Sequence, residues 1–153
     1  MKILMVCLGN ICRSPLAEGI LQQKIDAYGL DWQVDSAGTG GWHAGERPDR
    51  RSIAIAALHG IDISKQRARQ FQASDVAQFD RIFVMDTQNQ REVLRQIPTP
   101  EDRQKVDLIL NQLYPGENRI VPDPYYDDDG FEQVFQMLEK ACDRFVKAAL
   151  DQP

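Results

Sequence analysis

The chain has 153 residues, a length that suits one packed domain, and its 42% hydrophobic and 27% charged content is that of an ordinary globular protein. A formal net charge of −5 lacks the basic surplus of a nucleic-acid binder, which sets that class aside while leaving room for a local positive pocket. Three cysteines (Cys7, Cys12 and Cys142) are too few for a disulfide framework, and His43 and His59 stand in no zinc-ligand spacing with them. The expectation is a reducing, cytoplasmic protein without a metal, whose cysteines act through reactivity or pack in the core.

In chain order, Lys2 to Cys7 is a continuous apolar run, too short to span a membrane and suited to a central parallel strand. Gly9 and Asn10 permit a tight turn after it. Ser14 suits an N-cap and Pro15 a first helical position, so a helix is expected from there to Gly29, with Leu16, Ile20, Leu21 and Ile25 on one side. Trp32 to Ser36 reads as a second strand, followed by the glycine-rich stretch 38–41. A helix from Pro48 or Asp49 to Leu58 stops at Gly60. Arg81 to Met85 reads as a third strand, Thr87 to Ile97 as a helix ended by Pro98, and Val106 to Leu110 as a fourth strand. Residues 115–129 read as loop. Gly130 to Leu150 is the clearest helix, with Phe131, Val134, Phe135, Leu138, Ala141, Cys142, Phe145 and Val146 on one face. Strands alternating with helices, without repeat or linker, predict a single α/β domain over residues 1–153, its parallel sheet covered on both faces.

The informative segment is Val6-Cys7-Leu8-Gly9-Asn10-Ile11-Cys12-Arg13-Ser14-Pro15. In an open parallel sheet, ligands bind beyond the carboxyl ends of the strands, where this segment falls. A loop there, entering a helix N-terminus, can converge its N–H groups on an anion, and phosphate is the natural guest. Cys7 sits at the strand end. A thiol with an ordinary pKa of about 8.5 becomes substantially thiolate at a helix N-terminus beside an arginine, and the thiolate is the nucleophile. Arg13, six positions on, offers a planar fork that matches two phosphate oxygens. The spacing alone is a weak signal; the same spacing between a strand and a helix start is much stronger. The plainer reading makes Cys7 a small buried hydrophobe and Arg13 a surface charge.

Cleaving a phosphate ester also requires a proton for the departing oxygen. Asp123, Asp127, Asp128 and Asp129 are the candidates. Asp123 is preferred because Pro122 and Pro124 restrict its backbone, and the other three read as a solvated acidic loop. Trp42, Tyr125 and Tyr126 fall on loops rather than in periodic core patterns. Lys65, Arg67 and Arg69 form a basic run that reads as a solvated face.

Residues 6–15 resemble the signature of the low-molecular-weight protein tyrosine phosphatases. The likeness continues through Asp35-Ser36-Ala37, Trp42, Pro48-Asp49, His59-Gly60-Ile61, Ala68-Arg69-Gln70, Met85-Asp86 and Asp123-Pro124-Tyr125-Tyr126. The resemblance implies a four-stranded sheet and phosphotyrosine-bearing proteins or small aryl phosphates as substrates. It implies Cys7 as nucleophile, Arg13 as phosphate clamp and Asp123 as acid, then base. The phosphate would sit among Leu8, Gly9, Asn10, Ile11, Cys12 and Arg13. Asn10 would hold the loop's shape, Ser36 would brace Asn10, and Ser14 would donate to the Cys7 thiolate. Trp42, Tyr125 and Tyr126 would line the mouth of a pocket too deep for phosphoserine, and Cys12 would capture oxidised Cys7 as a disulfide. No cofactor, nucleic acid or membrane partner is expected, and the chain is expected to be a monomer, at most weakly self-associating.

Three rival readings fit the sequence less well. A thiol-dependent arsenate reductase needs relay cysteines, which the third strand's end, Val84-Met85-Asp86, does not supply. The arginine-phosphatase branch resembles this loop but has threonine where Ile11 stands. A phosphate-binding module without turnover has no need to keep Cys7, Arg13 and Asp123 together.

Overall fold

The computed structural model describes residues 1–152. Its elements are β1 (Lys2–Cys7), α1 (Arg13–Tyr28), β2 (Gln33–Gly38), α2 (Arg50–Leu58), α3 (Asp75–Gln78), β3 (Arg81–Val84), α4 (Thr87–Leu94), α5 (Pro100–Arg103), β4 (Val106–Leu108) and α6 (Phe131–Leu150). Short 3₁₀ turns cover Ile109–Gln112 and Asp128–Gly130. The four strands form one sheet in the order β2-β1-β3-β4, every neighbouring pair parallel. The expected fold is the one found.

The alternation of β1 explains why the sheet is covered twice. Ile3, Met5 and Cys7 face one side and pack with Leu16, Ile20 and Leu21 of α1 and Phe135, Leu138 and Cys142 of α6. Leu4 and Val6 face the other, with Val76 of α3, Val93 of α4 and Phe79. Since β1 is buried on both faces, it reads as an unbroken apolar run. The chain leaves β1 towards β2 on one side and later returns to β3 on the other. The C-terminal end of β1 is therefore the topological switch point, where an open α/β sheet leaves a crevice.

Several boundaries depart from expectation. The first helix begins at Arg13, with Cys12 as its cap residue and no side chain capping it, so Ser14 is not the N-cap and Pro15 is the third helical residue. The Ser14 hydroxyl is engaged elsewhere, as described below. The second strand runs to Gly38, two residues beyond Ser36, because Ala37 and Gly38 pair with Val6 and Cys7. The fourth strand stops at Leu108, where the chain turns into a 3₁₀ turn. Helix α4 ends at Leu94, short of Ile97: Arg95 keeps a helical backbone as its cap, and the N–H groups of Gln96 and Ile97 turn to the carbonyls three residues back, Val93 and Leu94, ahead of Pro98. Two single-turn helices, α3 and α5, were not foreseen.

Candidate active site

The loop from Cys7 to Arg13 is held from outside. The carbonyl of Cys7 accepts from Thr39 N–H (2.9 Å) and that of Leu8 from Gly40 N–H (2.9 Å). The carbonyl of Ile11 accepts from Asp49 N–H (2.8 Å), and that of Cys12 from the Ser52 hydroxyl (3.3 Å). In a trans peptide the N–H points opposite to the C=O. With these four carbonyls turned outward, the N–H groups of Leu8, Gly9, Cys12 and Arg13 turn inward, and all four residues line one cavity of about 230 Å³. Gly38 permits this close approach, because a Cβ there would stand 2.8 Å from the Leu8 carbonyl.

Asn10 takes a left-handed backbone (φ 56°), which asparagine tolerates better than most residues. Its side chain points away from the cavity and is fully engaged. Nδ2 donates to Ser14 Oγ (2.7 Å) and Ser36 Oγ (2.9 Å), and Oδ1 accepts from Arg69 N–H (3.0 Å). Ser14 Oγ lies 3.0 Å from Cys7 Sγ, and its own N–H lies 3.5 Å from that sulfur. The Ser14 hydroxyl therefore serves the cysteine rather than the helix end.

Arg13 is 2% exposed. Its Nη1 donates to Asp86 Oδ2 (2.7 Å) and to the Val121 carbonyl (2.9 Å), which uses both Nη1 protons. Among the described residues neither Nε nor Nη2 donates a hydrogen bond, and Nη2 stands 3.7 Å from Asp123 Oδ2. One edge of the guanidinium is thus anchored and the other is free to fork onto an anion in the cavity. Burial alone would pull this guanidinium's pKa down, but Cys7, Asp86 and Asp123 outweigh it and hold the group above the ordinary arginine range. Asp86 follows β3, and its other oxygen caps α4 by accepting from Asn89 N–H (2.8 Å). Asp86 has no task in the sequence alone beyond the Met85-Asp86 likeness, although an aspartate between a strand and a helix is an N-cap signal.

Cys7, Leu8, Gly9, Ile11, Cys12 and Arg13 line the cavity floor, and Trp42, Asp123, Tyr125 and Tyr126 line its upper part. Asn10, Ser14 and Ser36 are the expected residues that do not line it; they stand behind the loop. His43, which sequence reading left without a role, also lines the cavity and pairs with Glu46 (2.9 Å). Trp42 lies across Gly40, where a Cβ would overlap its ring. The Asp123 carboxyl is 41% exposed, and its Oδ1 accepts from Tyr125 N–H (3.1 Å). Tyr125 packs edge-on against Tyr126, which is 95% exposed.

The basic run is not simply a solvated face: Arg69 bridges Asp35 (3.0 Å) and Asp75 (3.0 Å) while its N–H holds Asn10. Nor is Asp128 only solvated, since it pairs with Arg51, which also grips Asp49 and lies over the rings of Phe131 and Tyr125. Burial first, then Asp49 and Cys7, raises the Cys12 thiol far above the ordinary thiol range. Cys142 is buried in the α6 core, its thiol pushed up to about 12 by burial. No group of three or more metal-ligating side chains occurs among the described residues, and no helix there is long and apolar enough to cross a membrane.

The sequence model of the low molecular weight phosphotyrosine protein phosphatases matches residues 2–152. The chain belongs to that family. It is a family of hydrolases, and it implies phosphoprotein substrates. A member from Schizosaccharomyces pombe, named a low molecular weight phosphotyrosine protein phosphatase, is 41% identical over 151 residues, covering 96% of each chain. The crystal structure of a protein tyrosine phosphatase from Entamoeba histolytica superposes with a TM-score of 0.91 at 36% identity, covering 99% of this chain and 97% of that one. A Drosophila arginine phosphatase superposes equally well, with a TM-score of 0.92 at 34% identity and full coverage of both chains. By their names, these two neighbours of one fold are a tyrosine phosphatase and an arginine phosphatase.

Proposed function

We propose that this family member hydrolyses phosphotyrosine, and small aryl phosphates, through a phosphocysteine on Cys7. The observation that carries the reading is the convergence on one cavity of Cys7 Sγ, the free edge of Arg13, the inward N–H groups and the Asp123 carboxyl group, which acts first in its protonated form. Cys7 Sγ attacks phosphorus as the bond to the phenol oxygen breaks, and Asp123 gives that oxygen its proton. Water then attacks phosphorus with Asp123 as base, the S–P bond breaks, and inorganic phosphate leaves. Arg13 and the loop N–H groups hold the phosphoryl oxygens through both steps. The Ser14 hydroxyl stabilises the thiolate as attacking and as leaving group. This route uses no metal, because the positive field comes from the loop and Arg13.

Aromatic walls at Trp42, Tyr125 and Tyr126 and the apolar Ile11 suit a phenyl ring. Ile11 has no polar group for a guanidinium, which favours phosphotyrosine over phosphoarginine. Cys12 lines the cavity beside Cys7 and is proposed to capture oxidised Cys7. Its buried, protonated thiol makes that capture slow, since the attacking form is the thiolate. A reducing cytoplasmic setting agrees with three free cysteines. Turnover of matched peptides carrying phosphotyrosine, phosphoserine or phosphoarginine tests the substrate. The phosphotyrosine peptide is expected to win in kcat/KM by at least about a hundredfold; preference for either other peptide contradicts the reading.

A further inference from the structure

A second cavity, of about 290 Å³, opens between α1 and segment 60–66, and Glu18 of α1 lines it. Glu18 Oε1 accepts from the Ser36 hydroxyl at 2.6 Å. The protons can be followed from that bond to the nucleophile. Ser36 has one hydroxyl proton; with it on Glu18, the oxygen's lone pairs remain for Asn10 Nδ2 at 2.9 Å. Asn10 gives its other Nδ2 proton to Ser14 Oγ at 2.7 Å. Ser14 is thereby an acceptor towards Asn10, and with Cys7 as the thiolate its own proton goes to Sγ at 3.0 Å, the nearer of its two acceptors, the Ala37 carbonyl being at 3.5 Å. The Asn10 amide nitrogen can only donate, so it sets its own two bonds, and the carboxylate, which can only accept, sets where the Ser36 proton goes.

We propose that Glu18 is a positioning residue for Cys7: its carboxylate takes the Ser36 proton and so leaves the Ser36 oxygen to accept from Asn10, which holds Ser14 and the loop, and its protonation loosens that hold. This rests on Cys7 being the nucleophile. A protonated Glu18 can itself donate to Ser36 Oγ, which leaves the Ser36 proton without that acceptor, turns the hydroxyl and weakens its grip on Asn10, the left-handed residue. Burial lifts the Glu18 carboxyl to about 7, with the Ser36 hydrogen bond and Arg69 opposing and Asp35 reinforcing the lift. The exchange therefore falls near neutral pH. The charged groups around Glu18 are Asp35 on β2, Arg69 on the segment that holds Asn10, Asp26 on α1, and Asp62 and Lys65 across the cavity. The cavity also admits solvent protons without passing the phosphate site.

The test is the rate at which iodoacetamide alkylates Cys7, followed by peptide mass spectrometry from about pH 5 to about pH 9, in wild type, Glu18→Gln and Ser36→Ala. Because it needs no turnover, it stays informative if the proposed reaction fails; that reaction is judged separately by hydrolysis in Cys7→Ser. Wild type should show an inflection near pH 7 of about three- to tenfold, the size of one net hydrogen bond. Glu18→Gln keeps an acceptor for Ser36 but cannot titrate, and Ser36→Ala cuts the chain, so both should lose the inflection. A wild type without it, or its survival in either variant, overturns the proposal; the wild-type arm decides even if a variant fails to fold.

Discussion

Asn10 adopts a backbone that costs most residues about 1–3 kcal/mol, and three side-chain hydrogen bonds hold it there. Asn10→Ala removes all three and the tolerance of the left-handed region together. It should destabilise the protein by about 2–4 kcal/mol and weaken phosphate binding, read as a lower Tm and a smaller Tm rise on adding phosphate; an unchanged phosphate response would contradict this. Arg13→Lys supplies one point charge where a planar fork both holds Asp86 and faces the cavity. It should lower kcat by at least about a hundredfold, measured on p-nitrophenyl phosphate. That Cys7, Arg13 and Asp123 would meet at one cavity was legible because each is a chemistry-bearing residue beside a strand end, a helix start or a proline. Asp86, Arg69 and Glu18 were not, because their partners lie 73, 59 and 18 positions away and only the folded sheet brings them together.

Among the elements, β1, α1 and α6 could be read directly from their apolar runs and faces, since burial on two sides or on one stripe leaves a pattern in the chain. Helices α3 and α5 are each 4 residues long, too short for a period to appear. For α5 the Thr99-Pro100 pair was the available signal, and Thr99 does cap it. Ser14-Pro15 sent the opposite message: a good capping serine was diverted to the cysteine. The loop depends on β2 as closely as on its own residues. Gly38→Ala would press a Cβ against the Leu8 carbonyl. That substitution should cost about 1–3 kcal/mol and raise the Kd for phosphate, measured by calorimetry; a variant binding phosphate like wild type would refute this dependence.

For the whole molecule, the order of strands and helices was legible and the site followed from it, because the switch point of such a sheet has one location. Stability should carry the mark of Glu18. Its carboxyl has an ordinary value of 4.5 and is lifted to about 7 in the fold, so the folded chain binds this proton more tightly than the unfolded one. That contribution is complete below about pH 4.5 and is lost as pH rises through about 7, a difference of about 3 kcal/mol at most. Asp49, held low by Arg51, acts in the opposite sense and is lost in acid. Urea unfolding across this range should show Glu18→Gln flatter than wild type between about pH 5 and about pH 8. Chelation with EDTA should leave activity unchanged; a loss restored by a divalent ion would contradict the metal-free route.

The central claim is the phosphocysteine on Cys7, and pre-steady-state hydrolysis of p-nitrophenyl phosphate tests it most directly, with Cys7→Ser and Asp123→Ala beside wild type and acid quenching to trap the phosphoenzyme. A phosphoryl group should be recovered on the peptide bearing Cys7 in wild type, with no turnover in Cys7→Ser and slowed turnover in Asp123→Ala. Undiminished turnover in Cys7→Ser would contradict it.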